Sequence, residues 1–358
     1  MTKIKAHLLI IISGLVIGLI AVGLTVAGNP GNMGLCIACF LRDVAGGVKL
    51  HTAAVVQYVR PEVIGIVLGA MAMSLVSGEF KARGGSAPVS RFVLGFAVMV
   101  GALMFLGCPL RMTLRLGGGD LNALFGIAGF AGGIWVGSIF LNKGFSLKRS
   151  FQMPALEGYA LPAIAVGLLV LLLAVPSLLA FSESGPGSQH AAIAIALIAG
   201  LAVGALAQKS RFCFAGGFRD AIMFKDFHLI LGFAGVIVAA LAGNLIFQKF
   251  NLGFADQPVA YSTLVNGDFI WAFLGMFLVG LASVFLGGCP LRQLVLSASG
   301  NSDSTVAVLG MVVGAAFCHN FGLASSAAGT TFNGRVAVVL GIVITALIGV
   351  LNCRKAEK

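Results

Sequence analysis

The sequence predicts an all-α polytopic membrane protein, with about ten transmembrane helices in two inverted repeats and re-entrant half-helices meeting at the centre. Three observations carry that expectation: apolar runs fill the chain, basic residues crowd onto alternate connections, and one cysteine motif is written twice. Of 358 residues, 59% are hydrophobic and 10% charged, and the mean hydropathy of +1.03 lies outside the range of soluble domains. Little sequence is left for a sizeable soluble domain.

The apolar runs place spans near 7–28, 61–78, 92–107, 121–141, 160–181, 190–208, 228–247, 269–287, 305–324 and 336–352. The first, HLLIIISGLVIGLIAVGLTVAG, follows Lys3 and Lys5 as a signal peptide would, but it is long and no A-x-A site follows, so it reads as a retained span. With the N-terminus in the cytoplasm, Lys81, Arg83, Lys148, Lys209, Arg211 and the C-terminal Arg354, Lys355 and Lys358 all fall inside. The outer loops receive only Lys49, Arg60, Lys249 and Arg335. The positive-inside rule therefore puts both termini in the cytoplasm.

Composition also excludes classes of function. The net charge of +11 is spread between apolar segments without a basic stripe, which argues against nucleic acid. Seven cysteines in apolar, glycine-rich surroundings read as thiols rather than a disulfide scaffold. No set of four ligands has zinc-like spacing. The GGGD at 117–120 lacks the strand, lysine and serine or threonine of a phosphate loop and reads as a turn.

The repeat appears when Cys36 is set on Cys213. LCIACFLRD then lies on FCFAGGFRD, so Arg42 and Asp43 fall on Arg219 and Asp220. Downstream, Cys108-Pro109-Leu110-Arg111 falls on Cys289-Pro290-Leu291-Arg292 with a further shift of four residues. An odd number of spans separates the copies, so the second half, 159–358, is inverted relative to the first, 1–158. Cys36 and Cys108 then approach the midplane from outside, Cys213 and Cys289 from inside.

Each GCPLR reads as the start of a half-helix inside the membrane: glycine for the bend, cysteine near the N-cap, proline at N1, arginine in the first turn. Such an end presents unpaired N–H groups and a partial positive charge, which suit an anion, with the cysteine as S–H donor. The alternative is a cysteine that packs as a small hydrophobe. Arg111 and Arg292 either draw the anion or snorkel to the interface. Arg42 with Asp43, and Arg219 with Asp220, read as charge pairs that hold the re-entrant segments. Cys36 and Cys39 have redox spacing, but Gly216 replaces the second cysteine in the other half. Cys318, His319 and Cys353 have no repeat partners and read as packing or terminal residues. Asp120 and Asp303 read as helix caps, or as proton carriers.

These cysteine motifs in duplicated halves resemble the YeeE/YedE family of sulfur-compound transporters, bacterial inner-membrane proteins, over most of the chain. Within the family the sequence is most similar to the YedE branch, associated with selenium metabolism; the YeeE branch takes up thiosulfate. The resemblance implies an hourglass in which cysteines pass a thiosulfate-like anion inward: Cys36 or Cys39, then Cys108, then Cys289, with Cys213 added by the internal repeat. It further implies a transporter rather than an enzyme, no cofactor or metal, and a small cytosolic sulfur carrier of the TusA type as partner. Two other readings compete: a membrane thiol oxidoreductase built on Cys36 and Cys39, and a scaffold subunit of a sulfur or selenium enzyme system.

Overall fold

The computed structural model describes residues 3–258 and 267–353. Arg354, Lys355 and Lys358, which belong to the charge balance above, lie outside the described residues. The described chain is helical apart from a short ribbon. Its helices are α1 (Lys3–Val26), α2 (Ile37–Gly47), α3 (Pro61–Val76), α4 (Pro88–Phe105), α5 (Pro109–Gly117), α6 (Ala123–Asn142), α7 (Ala155–Gly158) and α8 (Ala160–Ala174). There follow α9 (Ile193–Lys209), α10 (Phe214–Phe224), α11 (His228–Ile246), α12 (Phe269–Leu286), α13 (Pro290–Ala298), α14 (Ser302–Asn320) and α15 (Phe332–Leu351). Strands β1 (Arg83–Gly84) and β2 (Phe151–Gln152) pair antiparallel.

Among the described residues eight helices are long and apolar enough to cross a membrane, some of them running on into a short half-helix, and α3 and α8 are shorter apolar helices. The expected span 160–181 ends early, at Ala174, because Pro176 brings no N–H to continue the helical ladder. Four short helices, α2, α5, α10 and α13, do not cross. They start in the protein interior, and their ends mark two opposite faces. Beyond α2, the Leu50 carbonyl accepts from Asn320 at the end of α14, and beyond α5 the Gly118 carbonyl accepts from the Asn251 N–H. After α13, Ser299 and Gly300 accept from the N–H groups of Lys81 and Arg83, which defines a basic face.

The long helices pack across the repeat rather than within it. α3 lies against α9 and α1 against α11; α6 lies against α12 and α4 against α14; α4 and α12 meet each other. These contacts form exchanged pairs, α3–α9 with α1–α11 and α6–α12 with α4–α14. Small residues make the approach possible. Gly65 and Gly69 of α3 face the backbone of Leu197 and Leu201, while Gly200 and Gly204 of α9 face that of Glu62 and Ile66, so any Cβ at these four positions would overlap a main chain. Lipid supplies no hydrophobic force to press helices together, and this close backbone packing does the work instead.

The breaks before α5 and α13 use left-handed backbone. Gly287 (φ 81) takes it without a Cβ penalty, but the first half has Leu106 (φ 58) there, at a cost of about 1–2 kcal/mol.

Substituting Gly69→Leu pushes α3 off α9 and is expected to lower the melting temperature of the detergent-solubilised protein by several degrees, the outcome of overpacking by about 1–3 kcal/mol. Gly78→Ala, at an open turn with φ 67 on the surface, tests whether glycine loss alone has that effect, and should cost less.

Candidate functional site

All four half-helices are capped by cysteine. Cys36 and Cys213 take the same extended N-cap backbone (φ −148, ψ 105 and φ −156, ψ 117). Each sulfur accepts the N–H three residues on: Cys36 Sγ from Cys39 at 3.3 Å, Cys213 Sγ from Gly216 at 3.2 Å. Cys108 and Cys289 precede the N1 prolines of α5 and α13 and are also extended. Proline fixes φ and removes a donor that the first turn would leave unpaired.

The caps meet in two groups. Cys36 Sγ lies 2.7 Å from Cys39 Sγ and 3.9 Å from Cys108 Sγ. In the other half the Cys213 and Cys289 thiols lie close enough to interact electrostatically. The groups adjoin, since α2 touches α13 and α5 touches α10. All five cysteines are buried free thiols. Four positive helix ends thus converge where no lipid reaches, an arrangement suited to a passing anion.

Two cavities lie toward the two faces. One of about 540 Å³ is lined by Arg42, Leu106, His319, Gln189, Ser325 and apolar residues including Val55 and Val56. The other, of about 290 Å³ on the basic face, is lined by Glu79, Lys81, Arg83, Gln208, Arg211, Arg292 and Ser299.

The paired motifs carry different charges in the two halves. Arg42 donates through Nε and Nη2 to Asp43 Oδ1 at 2.8 and 2.6 Å, while Arg60 Nε donates to Asp43 Oδ2 at 2.8 Å. Arg60, expected as an outer-loop charge, is fully buried at the N-cap of α3, where Nη1 and Nη2 hold the carbonyls of Gln189 and Pro186 at 3.0 and 2.7 Å. Arg219 and Asp220 form the matching pair at 2.7 Å but remain partly exposed. His51, in the loop after α2, packs face to face on His319 and meets the Arg42 carbonyl at 3.0 Å; burial pushes the His51 imidazole below its ordinary range.

The two CPLR arginines diverge as well. Arg111 is fully buried and does not snorkel: it donates to the carbonyls of Leu106 and of Asn32 (3.2 Å), and approaches Cys39 Sγ at 3.5 Å. Arg292 reaches the basic cavity instead, with Nη1 buried and unpartnered. In the second break Gln293 Nε2 donates to the carbonyls of Leu286 and Gly288 at 3.1 and 3.3 Å. That break contains one more residue than the first, FLGGC against FLGC.

Asp120 and Asp303 are not the caps of α6 and α14; Asn122 and Asn301 occupy those positions. Asp120 pairs with buried Arg115 at 2.5 Å, and Asp303 accepts the Ser86 N–H and hydroxyl at 3.0 and 2.8 Å. Nothing in the sequence marked Arg60, Arg115 or Gln293 as interior; each gains its role from a carbonyl or carboxylate distant in the chain or across a break. Among the described residues no group of three or more His, Cys, Asp or Glu is placed to hold a metal ion.

Asp43→Asn leaves two buried guanidinium groups sharing no anion and is expected to destabilise the protein by about 3–5 kcal/mol. Asp220→Asn, in the partly exposed counterpart, should cost below about 1 kcal/mol. Thermal melting of both variants in one detergent makes the comparison, and equal losses would refute the assignment of Asp43 as the shared counter-ion.

Comparison with known proteins gives one family: residues 209–354, from the end of α9 into the segment after α15, match the family described as sulphur transport. No curated protein matches the chain. The matched stretch contains Cys213, Cys289, Arg219, Asp220 and Arg292, so the similarity to sulphur transport proteins rests on the second half of the site.

Proposed function

We propose that the protein imports a thiosulfate-like sulfur or selenium anion across the bacterial inner membrane through a relay of cysteines. Halves 1–158 and 159–358 act as inverted repeats, with both termini in the cytoplasm. The observation that carries this reading is the four buried, cysteine-capped helix starts whose half-helices adjoin across the two halves. The match of the second half to sulphur transport proteins supports the substrate class.

The chemistry follows from hydration. A sulfur oxyanion sheds its water only where other donors replace it, and a soft anion is well matched by thiols and amide N–H groups. Cys36 and Cys108 offer the first such cluster, Cys213 and Cys289 the second, and Arg111 adds a full positive charge beside the first. The donors must be neutral thiols, because a thiolate would repel the cargo. Neither cluster alone supplies enough to trap the anion, and two adjacent weak sites let it leave as readily as it arrives. Beyond the second cluster, Arg292, Arg211, Lys81 and Arg83 draw the anion out of the low-dielectric centre. A small cytosolic carrier of the TusA type, docking on this basic face, is the partner that would accept the sulfur. The YedE branch, and with it a selenium species, is the narrower reading.

In a strain that depends on this protein, Cys108→Ala and Cys289→Ala are each expected to reduce thiosulfate uptake at least about tenfold, the loss of one charge-assisted donor of 1.5–3 kcal/mol or so. Growth on thiosulfate as sole sulfur source, measured beside selenium incorporation, separates the branches. Undiminished uptake in both variants would exclude the relay.

A further inference from the structure

We propose that Cys36 and Cys39 are a modification site: a dithiol that hydrogen peroxide converts to a disulfide, closing the anion route until a thiol reductant reopens it. The inference rests on the transport reading for its consequence but not for its chemistry.

The relay needs only one of Cys36 and Cys39 as its outer thiol, and the internal repeat points to Cys36. Cys36 corresponds to Cys213 and Cys108 to Cys289, whereas the position of Cys39 is Gly216 in the other half. Yet Cys39 is the better-placed sulfur for redox work. Its Sγ lies 2.7 Å from Cys36 Sγ, nearer than Cys36 is to Cys108, and the two cysteines occupy the N-cap and the first turn of one helix. The sulfur separation leaves little movement to the bonded distance of a disulfide. Arg111 sets a guanidinium 3.5 Å from Cys39 Sγ and is itself fixed by two carbonyls, so a positive charge supports anionic sulfur at the attacking atom. The 540 Å³ cavity comes within one helical turn of the pair, at Arg42, and reaches Leu106 just before Cys108. Peroxide, scarcely larger than water, can follow the path proposed for the anion.

The step balances without a further reactant. Cys39 sulfur, having released its proton, attacks one peroxide oxygen; the O–O bond breaks, Cys39 becomes a sulfenic acid and the other oxygen leaves as water after taking that proton. Cys36 sulfur then attacks Cys39 sulfur, the S–S bond forms, the S–O bond breaks, and the hydroxyl departs with the Cys36 proton as a second water. Two thiols lose two electrons and one peroxide gains them. In the disulfide Cys36 has no S–H to offer, so the first cluster loses the donor that faces Cys108.

The test uses the full chain in lipid vesicles treated with hydrogen peroxide, followed by alkylation of free thiols after denaturation and peptide mass spectrometry. The expected product is a peptide carrying Cys36 and Cys39 unalkylated and lighter by two hydrogens, restored by dithiothreitol, with Cys353 alkylated throughout. Cys108→Ser should still form it, and Cys39→Ser should not. Thiosulfate uptake by the wild type is expected to fall about tenfold on oxidation and to recover on reduction. An unoxidised pair, a Cys36–Cys108 link in its place, or full uptake by the disulfide form would overturn the proposal. Reduced vesicles that take up no thiosulfate would defeat the transport reading alone, because the disulfide is read by mass.

Discussion

A helix that begins inside a membrane presents N–H groups that lipid cannot satisfy, and everything at the centre of this protein answers that constraint. At Cys36 and Cys213 a sulfur folds back onto the first turn and takes one N–H. At Cys108 and Cys289 proline at N1 deletes a donor. Sulfur is a weak acceptor, so these caps leave the helix ends electrostatically positive. A Ser or Asp cap would quench the same groups more completely and leave less for a passing anion. The choice of cysteine therefore trades stability of the half-helix for affinity that is modest and shared.

The scaffold must hold four such ends together, and it does so by pairing helices across the repeat. Because α1 packs on α11 and α3 on α9, neither half encloses its own half-helices. The cysteine groups are consequently positioned by contacts that belong to both halves at once. Leu106 shows the tension in that arrangement. Its left-handed backbone is unfavourable for a branched residue, and Arg111 compensates by donating to its carbonyl while reaching Cys39 with the same nitrogen. One guanidinium thus fixes the break in α4–α5 and the charge beside the first cysteine group.

Much of this was legible in the sequence because hydropathy, proline at N1 and the duplicated motif are local signals. The spans, the half-helix starts and the Arg42–Asp43 and Arg219–Asp220 pairs all follow from residues close in the chain. What sequence concealed depends on distance. Arg60 looked like a loop charge because its partners, Asp43 and the carbonyls of Gln189 and Pro186, lie on other segments. Asp120 and Asp303 looked like caps because they precede helices, whereas Arg115 and Ser86 claim their oxygens. Alignment made Arg111 and Arg292 equivalent, but Arg111 holds carbonyls beside the first break, whereas at the second Gln293 does so and Arg292 lines the basic cavity.

That last asymmetry gives the centre a direction. In the first half, Asp43 neutralises one of two arginines, so the buried trio of Arg42, Asp43 and Arg60 keeps one positive charge, and Arg42 carries it to the wall of the larger cavity. Buried charge of this kind is expensive in a membrane, where even paired ions struggle to recover their hydration energy. On the proposed transport reading, an entering anion would offset part of that cost through its attraction to Arg42. In the second half Arg219 and Asp220, the counterparts of Arg42 and Asp43, are partly exposed, so water screens them, and Arg292 lines the basic cavity. On the transport reading proposed above, charge that is dry on one side and screened on the other would favour binding at the first and release at the second.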